Sequence, residues 1–141
     1  TLKDLGWLVE CEIKPTKLLR QALDRNYGDI DVLAWDPTKG RILIIECKDV
    51  QYKKTPGEIA EQLSDFRGEL MHNGKPDLLK KHLDRVAVVE AHADDAYRFL
   101  GMPQGGRIES HLVFKNPVPM QFVRSREHQV RISLFANLAS L

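Results

Sequence analysis

The alternation of apolar and polar residues predicts strands in the first third of the chain. Residues 7–13 alternate between apolar Val9, Cys11 and Ile13 and polar Glu10 and Glu12, which indicates a half-buried strand, and residues 29–35 predict a second one. Residues 41–48 contain the run ILII, which favours a central strand covered on both faces. The intervening DPTKG, residues 36–40, is typical of a tight hairpin turn. These segments together predict an antiparallel meander of three strands.

A helix start with complete capping chemistry follows the third strand. Thr55 can cap the helix, Pro56 suits its first position, and Glu58 completes a capping box. Asn-Gly at 73–74 and the proline at 76 predict its end. The buried face of this helix is predicted to consist of Ile59, Leu63, Phe66 and Leu70.

The remaining segments leave several alternatives open. Residues 16–27 fit a short helix or a loop, and residues 86–92 fit a helix or a strand. A second helix is predicted from about residue 77, with Leu79, Leu83 and Val86 on one side. Further predicted elements are a helical stretch ending near residue 101, a strand at 107–114, an edge strand or extended segment at 118–123, and a strand or short helix in the tail.

Composition limits the class of protein. A chain of 141 residues fits one compact domain, and the balance of 21 Lys+Arg against 20 Asp+Glu argues against a histone-like basic binder. No apolar run approaches the ~18–20 residues of a membrane span, and no signal-peptide pattern is present. Cys11 and Cys47 lie in strand-like apolar runs, so we expect both to be buried and reduced, in a cytoplasmic protein.

Three charged residues on neighbouring strands are the candidate chemistry. Asp31 lies on the second predicted strand, and Glu46 and Lys48 point to the same side of the third. Burying an unpaired charge is costly unless a partner or a metal compensates it. The pattern therefore indicates a metal-dependent phosphodiesterase site, and a surface ion pair on an exposed strand is the alternative.

The sequences GDIDVLA (28–34) and IIECK (44–48) resemble the PD-(D/E)XK nuclease superfamily, which has the restriction-endonuclease-like fold. Within that superfamily, these two segments are most similar to the Holliday-junction resolvase and Mrr-type branches. The resemblance covers roughly residues 1–72 and, more loosely, 107–115. It implies an α/β fold with a mixed central sheet flanked by helices. By position, Asp31 matches the aspartate of the motif, and Glu46 and Lys48 match its (D/E)xK pair.

The resemblance also implies a reaction and a cofactor. Asp31, Glu46 and the backbone carbonyl of Cys47 would hold Mg²⁺, with Mn²⁺ as a substitute, and Lys48 would position the water that attacks a DNA phosphodiester bond. Only the end of the expected first helix, LKDLG, is present, so we expect a C-terminal fragment with further domains upstream. A catalytically silent nucleic-acid-binding or scaffold domain and an RNA-directed nuclease are the alternatives. Nucleases of this fold often pair, so a homodimer is a further expectation.

Other residues are secondary candidates. Gln62 resembles the glutamine of the superfamily's Q-x-x-x-Y motif, although Phe66 stands at the tyrosine position; an exposed helical glutamine is the alternative. Asp29 shares a face with Asp31 and is a candidate for the metal site or a turn residue, and His111 is a candidate in the returning strand. A DNA backbone contact or a solvated face fits the basic residues Lys14, Lys17, Arg20, Arg25, Arg124 and Arg126.

Overall fold

A computed structural model describes residues 1–122 and 130–140, which form an α/β fold around one five-stranded sheet. The strands are β1 (Leu8–Ile13), β2 (Ile30–Asp36), β3 (Arg41–Lys48), β4 (Arg107–Phe114) and β5 (Val130–Leu134). The helices are α1 (Pro15–Leu19), α2 (Pro56–Ser64), α3 (Leu78–Ala91), α4 (Ala93–Phe99) and two 3-10 helices, Pro119–Phe122 and Phe135–Ser140. None of the helices in these described ranges has the length and apolar character needed to cross a bilayer.

The sheet is mixed, and its strands lie side by side in chain order. β1, β2 and β3 pair antiparallel, which confirms the predicted meander. β4 lies parallel to β3, and β5 lies parallel to β4. A parallel pair needs a long crossover between its strands, and here α2, α3 and α4 occupy the chain between β3 and β4. The predicted central position of β3 is confirmed, because residues 42–46 are all buried.

The two faces of the sheet are covered by different parts of the chain. On the helix side, Leu33, Ile42 and Ile44 pack with Val86 and Val89 of α3 in the larger core cluster. The opposite side contributes its own cluster, which the turns at the start of the chain and the last 3-10 helix cover. That cluster contains Leu2, Trp7, Ala34, Leu43, Ile45 and Val113, with Leu138 packed against it.

The helix that begins at the capping box is shorter than predicted. The capping box of Thr55 and Glu58 is confirmed, but α2 ends at Ser64 and does not continue to residue 73. The Asp77 carboxylate explains the early end, because it accepts hydrogen bonds from the backbone N–H groups of residues 67, 68 and 69. These donors are satisfied in a loop, so Phe66 remains buried while Leu70 is 60% exposed.

Tertiary context decides the segments that sequence left open. Residues 86–91 belong to α3, and residues 119–122 form a 3-10 helix where an edge strand or extended segment was predicted. In the tail, where a strand or a short helix was predicted, the chain forms β5 and then the second 3-10 helix. The expectation of buried cysteines is wrong: Cys11 and Cys47 are free and exposed, because both lie on the thinly covered side of the sheet.

Candidate functional site

Asp31 lies where β2 and β3 part. The paired register of the two strands ends at Val32 and Ile45, so Asp31 and Glu46 are the next residues along each strand. Instead of another backbone pair, the Asp31 carboxylate Oδ2 accepts a hydrogen bond of 2.8 Å from the Cys47 backbone N–H. The aspartate of one strand is therefore fixed to the centre of the Glu46-Cys47-Lys48 segment.

Glu46 is held by two cations on the helix side of the sheet. The residue is only 7% exposed, and Lys48 Nζ lies 2.6 Å from Oε1. The second oxygen, Oε2, accepts a hydrogen bond from the Arg85 guanidinium, which projects from α3. Arg85 is fixed in turn, because its Nε donates to the Tyr27 backbone carbonyl at 3.0 Å.

These partners keep Glu46 ionised. Burial by itself raises the pKa of a carboxyl group, but the Lys48 hydrogen bond and the Arg85 charge outweigh burial and lower the pKa of Glu46 below its ordinary value. At neutral pH the site therefore carries a buried carboxylate between the side chains of Lys48 and Arg85. Each carboxylate oxygen already has a cationic donor.

A buried histidine lies beside the same carboxylate. His82 is fully buried one turn before Arg85 on α3, and its Nδ1 is 4.0 Å from Glu46 Oε2. Its Nε2 shares a hydrogen bond of 2.9 Å with the Ser110 hydroxyl of β4, whereas Nδ1 has no hydrogen-bond partner in the described part of the chain. Burial is the main cause that lowers the pKa of His82 to about 4, so the ring is neutral at pH 7.

Sequence reasoning missed Arg85, His82 and Ser110. The signal was present in α3, where the buried positions recur at Leu79, His82, Val86 and Val89. A histidine within that apolar stripe, with an arginine three residues later, departs from the polar-outside rule for an amphipathic helix. Such polar residues on a buried face indicate a partner across the core, although sequence alone does not identify it.

The secondary acidic and amide candidates lie outside this cluster. Asp29 is exposed and precedes β2. Gln62 is buried, contrary to the exposed alternative, and its amide Nε2 donates to the Gln51 carbonyl at 3.2 Å. This bond fastens the segment after β3 to α2, which makes Gln62 a support for the loop. His111 pairs with Ile45, one position from Glu46, so it faces the other side of the sheet.

Most of the basic candidates have partners within the chain. All four described members of the set are exposed, and Lys14 stands at the N-cap position of α1. Arg124 and Arg126 lie outside the described residues. The contacts of the other three are Lys17 with Glu10 at 2.7 Å, Arg20 over the Phe99 ring, and Arg25 with Asp84 at 3.0 Å and over the Tyr27 ring.

Asp31 and Glu46 are the side chains that could hold a hard divalent cation. Within residues 1–122 and 130–140, no three His, Cys, Asp or Glu side chains converge as a metal cluster. Mg²⁺, however, commonly binds one or two carboxylates and completes its shell with water and phosphate oxygens. Asp31 and Glu46 supply carboxylates from adjacent strands, and Asp31 Oδ1 accepts no hydrogen bond from the described residues. Glu46 fits only if one of its two cationic partners gives way.

Comparison with known proteins gives one family. Searches of curated proteins and of solved structures found no match. A family described as "Anti-phage protein Upx-like" matches residues 1–131, which is nearly the whole of the 141-residue chain. The chain therefore belongs to the Upx-like family of anti-phage proteins.

Proposed function

We propose that this protein is a metal-dependent nuclease that hydrolyses DNA phosphodiester bonds at Asp31, Glu46 and Lys48. The observation that carries the proposal is the convergence of these residues at the end of β3, through the Asp31–Cys47 hydrogen bond and the Lys48–Glu46 contact. The mixed sheet with an antiparallel meander is consistent with a restriction-endonuclease-like fold, which the sequence resemblance implies. A PD-(D/E)XK relationship is part of the same proposal.

Each residue has a distinct role in this reaction. Asp31 and Glu46, with the backbone carbonyl of Cys47, would hold Mg²⁺ or Mn²⁺. When bound, such a cation polarises a phosphoryl oxygen and lowers the pKa of water. Lys48 Nζ donates to Glu46 in the free protein and would donate to the attacking water or to the phosphate oxygens. A positive charge at that point stabilises the negative charge that develops in the transition state.

The family connects this chemistry to defence. A nuclease that cuts the DNA of an infecting phage would protect the host, so we propose phage DNA as the biological substrate. Phage RNA or a host transfer RNA would be attacked by the same chemistry. We therefore include RNA in the assay below.

One observation favours a second function, a catalytically silent nucleic-acid-binding or scaffold domain. Both oxygens of Glu46 accept from cations, Lys48 and Arg85, so the carboxylate is fully compensated by side chains of the protein itself. In that case the acidic site would be a core ion cluster that binds no metal. The two functions make opposite predictions in a cleavage assay.

The test is cleavage of plasmid, linear duplex, single-stranded DNA and RNA with Mg²⁺, with Mn²⁺ and with EDTA. We expect DNA cleavage in either metal and none in EDTA. Glu46→Gln and Lys48→Met should each lower the rate by about 10²-fold or more, the usual loss for a group that stabilises transition-state charge. The matched controls are Glu90→Gln, an exposed position of α3, and Lys39→Met in the hairpin turn.

Two results would contradict the proposal separately. If no nucleic acid is cut in either metal, the silent alternative replaces the nuclease. If DNA is cut but Glu46→Gln and Lys48→Met cut as fast as Glu90→Gln and Lys39→Met, the enzyme is a nuclease with its site elsewhere.

A further inference from the structure

Arg85 holds the oxygen of Glu46 that a cation would need. The two side chains are each 9% exposed, so their ion pair lies in a largely desolvated environment where charges interact strongly. A divalent ion that shared Glu46 Oε2 with a guanidinium would be repelled by it at close range. Cation binding to Glu46 and the Arg85 contact are therefore competing states of the same carboxylate.

A cavity beside Arg85 could receive its side chain if the contact with Glu46 were broken. Arg85 lines this cavity of about 230 Å³ together with residues of the segment before β2 and of α3. Arg85 Nη2 lies 3.0 Å from the point where a Cβ atom on residue 28 would be. Residue 28 is a glycine with φ +75°, and the absence of a side chain there leaves room for the guanidinium. The cavity is bounded by Arg25, Asn26, Tyr27, Gly28, Pro76, Lys81, Asp84 and Arg85.

This cavity is positively charged. Asp84 is its acidic member and is already bound by Arg25 and by Lys80, at 3.0 Å each. Lys81, which is exposed, makes no ion pair with the described residues. Lys81 therefore offers a point charge to an anion. The Arg85 guanidinium, whose Nε and Nη1 donate to Tyr27 and Glu46, would add a planar donor fork once Glu46 is released, and that fork matches the geometry of a phosphate group.

We propose that Arg85 is a positioning residue that occupies Glu46 until a phosphate of the nucleic acid binds at the Arg25–Lys81–Arg85 cavity. The phosphate takes the guanidinium, and Glu46 becomes available to the divalent cation. Metal and nucleic acid consequently bind cooperatively, and the free protein has a weakened metal site. The inference rests on the proposed nuclease function and adds a residue and an order of events to it.

The test measures Mn²⁺ binding from the electron paramagnetic resonance signal of free Mn²⁺, with and without a phosphorothioate-linked DNA duplex that resists cleavage. Arg85→Met should bind Mn²⁺ about tenfold more tightly than the parent, an ordinary size for coupling between sites. DNA should tighten Mn²⁺ binding by the parent and leave Arg85→Met unchanged. The Mn²⁺ affinity of Lys81→Met should respond less to DNA than that of the parent. Arg98→Met, an exposed arginine on α4, is the control and should match the parent throughout.

A second variant covers the case in which Arg85→Met does not fold. Arg85→Lys keeps the charge but loses the donor fork, and it should bind Mn²⁺ about threefold more tightly, with a smaller DNA response. The inference is overturned if the folded Arg85 variants bind Mn²⁺ no more tightly than the parent, or if DNA leaves the parent's Mn²⁺ affinity unchanged. The variant Glu46→Gln distinguishes a failure of the Arg85 inference from a failure of the proposed metal site. If it loses Mn²⁺ binding while the Arg85 variants match the parent, only the inference fails; if it binds like the parent, the proposed metal site fails as well.

Discussion

The two faces of β3 are built from alternate residues of one strand and yet differ in kind. On the helix side, Ile44 gives way to Glu46 and then to Lys48, so the strand ends in charge beneath α3. On the opposite side, Ile45 and Cys47 continue apolar and border a cavity of about 310 Å³ that is lined almost entirely by apolar atoms. Glu46 is thus buried in contact with α3, whereas Cys47, the next residue, lies exposed on the opposite side.

This arrangement is the reverse of what burial energetics favours. Desolvating Glu46 and Arg85 costs free energy that their attraction only partly returns, whereas the apolar cavity leaves favourable burial unused. Stability alone would put the apolar residues under the helix and the charges near solvent. The helix side therefore keeps a buried ion cluster at a position where apolar packing would serve stability better, and each prediction below tests that comparison.

The largest effect is expected when the charged cluster is made apolar as a whole. The triple variant Glu46→Met, Lys48→Met and Arg85→Met should lose the proposed nuclease activity by about 10³-fold or more. It should nevertheless unfold at an equal or higher urea concentration, because replacing a complete buried ion cluster is often neutral or stabilising by about 1–4 kcal/mol.

The single variant Glu46→Met provides the contrast. It leaves the buried Arg85 and the half-buried Lys48 without their carboxylate, and it should lose about 3–5 kcal/mol of unfolding free energy. Urea denaturation of both proteins tests this difference. A triple variant as unstable as the single one would show that the ion cluster stabilises the fold more than apolar side chains would.

The next effect compares adjacent apolar residues on the two faces. Ile44 and Ile45 are both almost fully buried, but Ile45 borders the 310 Å³ cavity, whereas Ile44 packs in the helix-side core. Ile44→Ala should cost the upper half and Ile45→Ala the lower half of about 2–5 kcal/mol, because a site next to open space can relax. Urea denaturation measures both, and the reverse order would show that the open side is the better packed.

The third effect is the pH dependence of stability, to which one buried histidine on each side of the sheet contributes. His82 on the helix side has its pKa lowered to about 4, and burial also lowers the pKa of His111 on the other side. Between pH 6.5 and about 4 the unfolded chain binds a proton that folded His82 does not, so stability is complete above about 6.5 and falls as pH falls. His82 alone should contribute about 3 kcal/mol across that window.

The variant His82→Gln tests the contribution of His82 to the pH dependence of the unfolding free energy. Unfolding free energies measured from pH 7.5 to 4 should fall less steeply in the variant than in the parent, with the slope that remains coming in part from His111. Equal slopes in the two proteins would show that His82 is protonated without penalty and would exclude the neutral, buried ring described above.

Features that depend on interactions between residues close together in the chain could be predicted from the sequence. Alternation places Glu46 and Lys48 on one side of β3, and the capping box at Thr55 and Glu58 marks the start of α2, because both signals act within a few residues. The hairpin turn between β2 and β3 is local in the same way. These features are confirmed.

Long-range partners account for what was missed. Arg85 reaches Glu46 from 39 residues further along the chain, and its role depends on how α3 crosses the sheet. The end of α2 depends on Asp77, whose carboxylate binds backbone groups 8 to 10 residues earlier. Cysteine exposure depends on which face the rest of the chain covers. No periodicity within a strand or helix contains that information.

The smallest effect concerns the thinly covered face. Cys11 and Cys47 are exposed and free, so Cys11→Ser and Cys47→Ser should each change the unfolding free energy by less than about 0.5 kcal/mol. Both thiols should react with a disulfide reagent in the folded protein. Cys47 should react more slowly than a model thiol at pH 8, because burial and the nearby Asp31 and Glu46 charges raise its pKa and reduce the thiolate fraction. A Cys47→Ser variant that loses several kcal/mol would show that this face is packed as tightly as the helix side, and the two faces of β3 would then differ in charge alone.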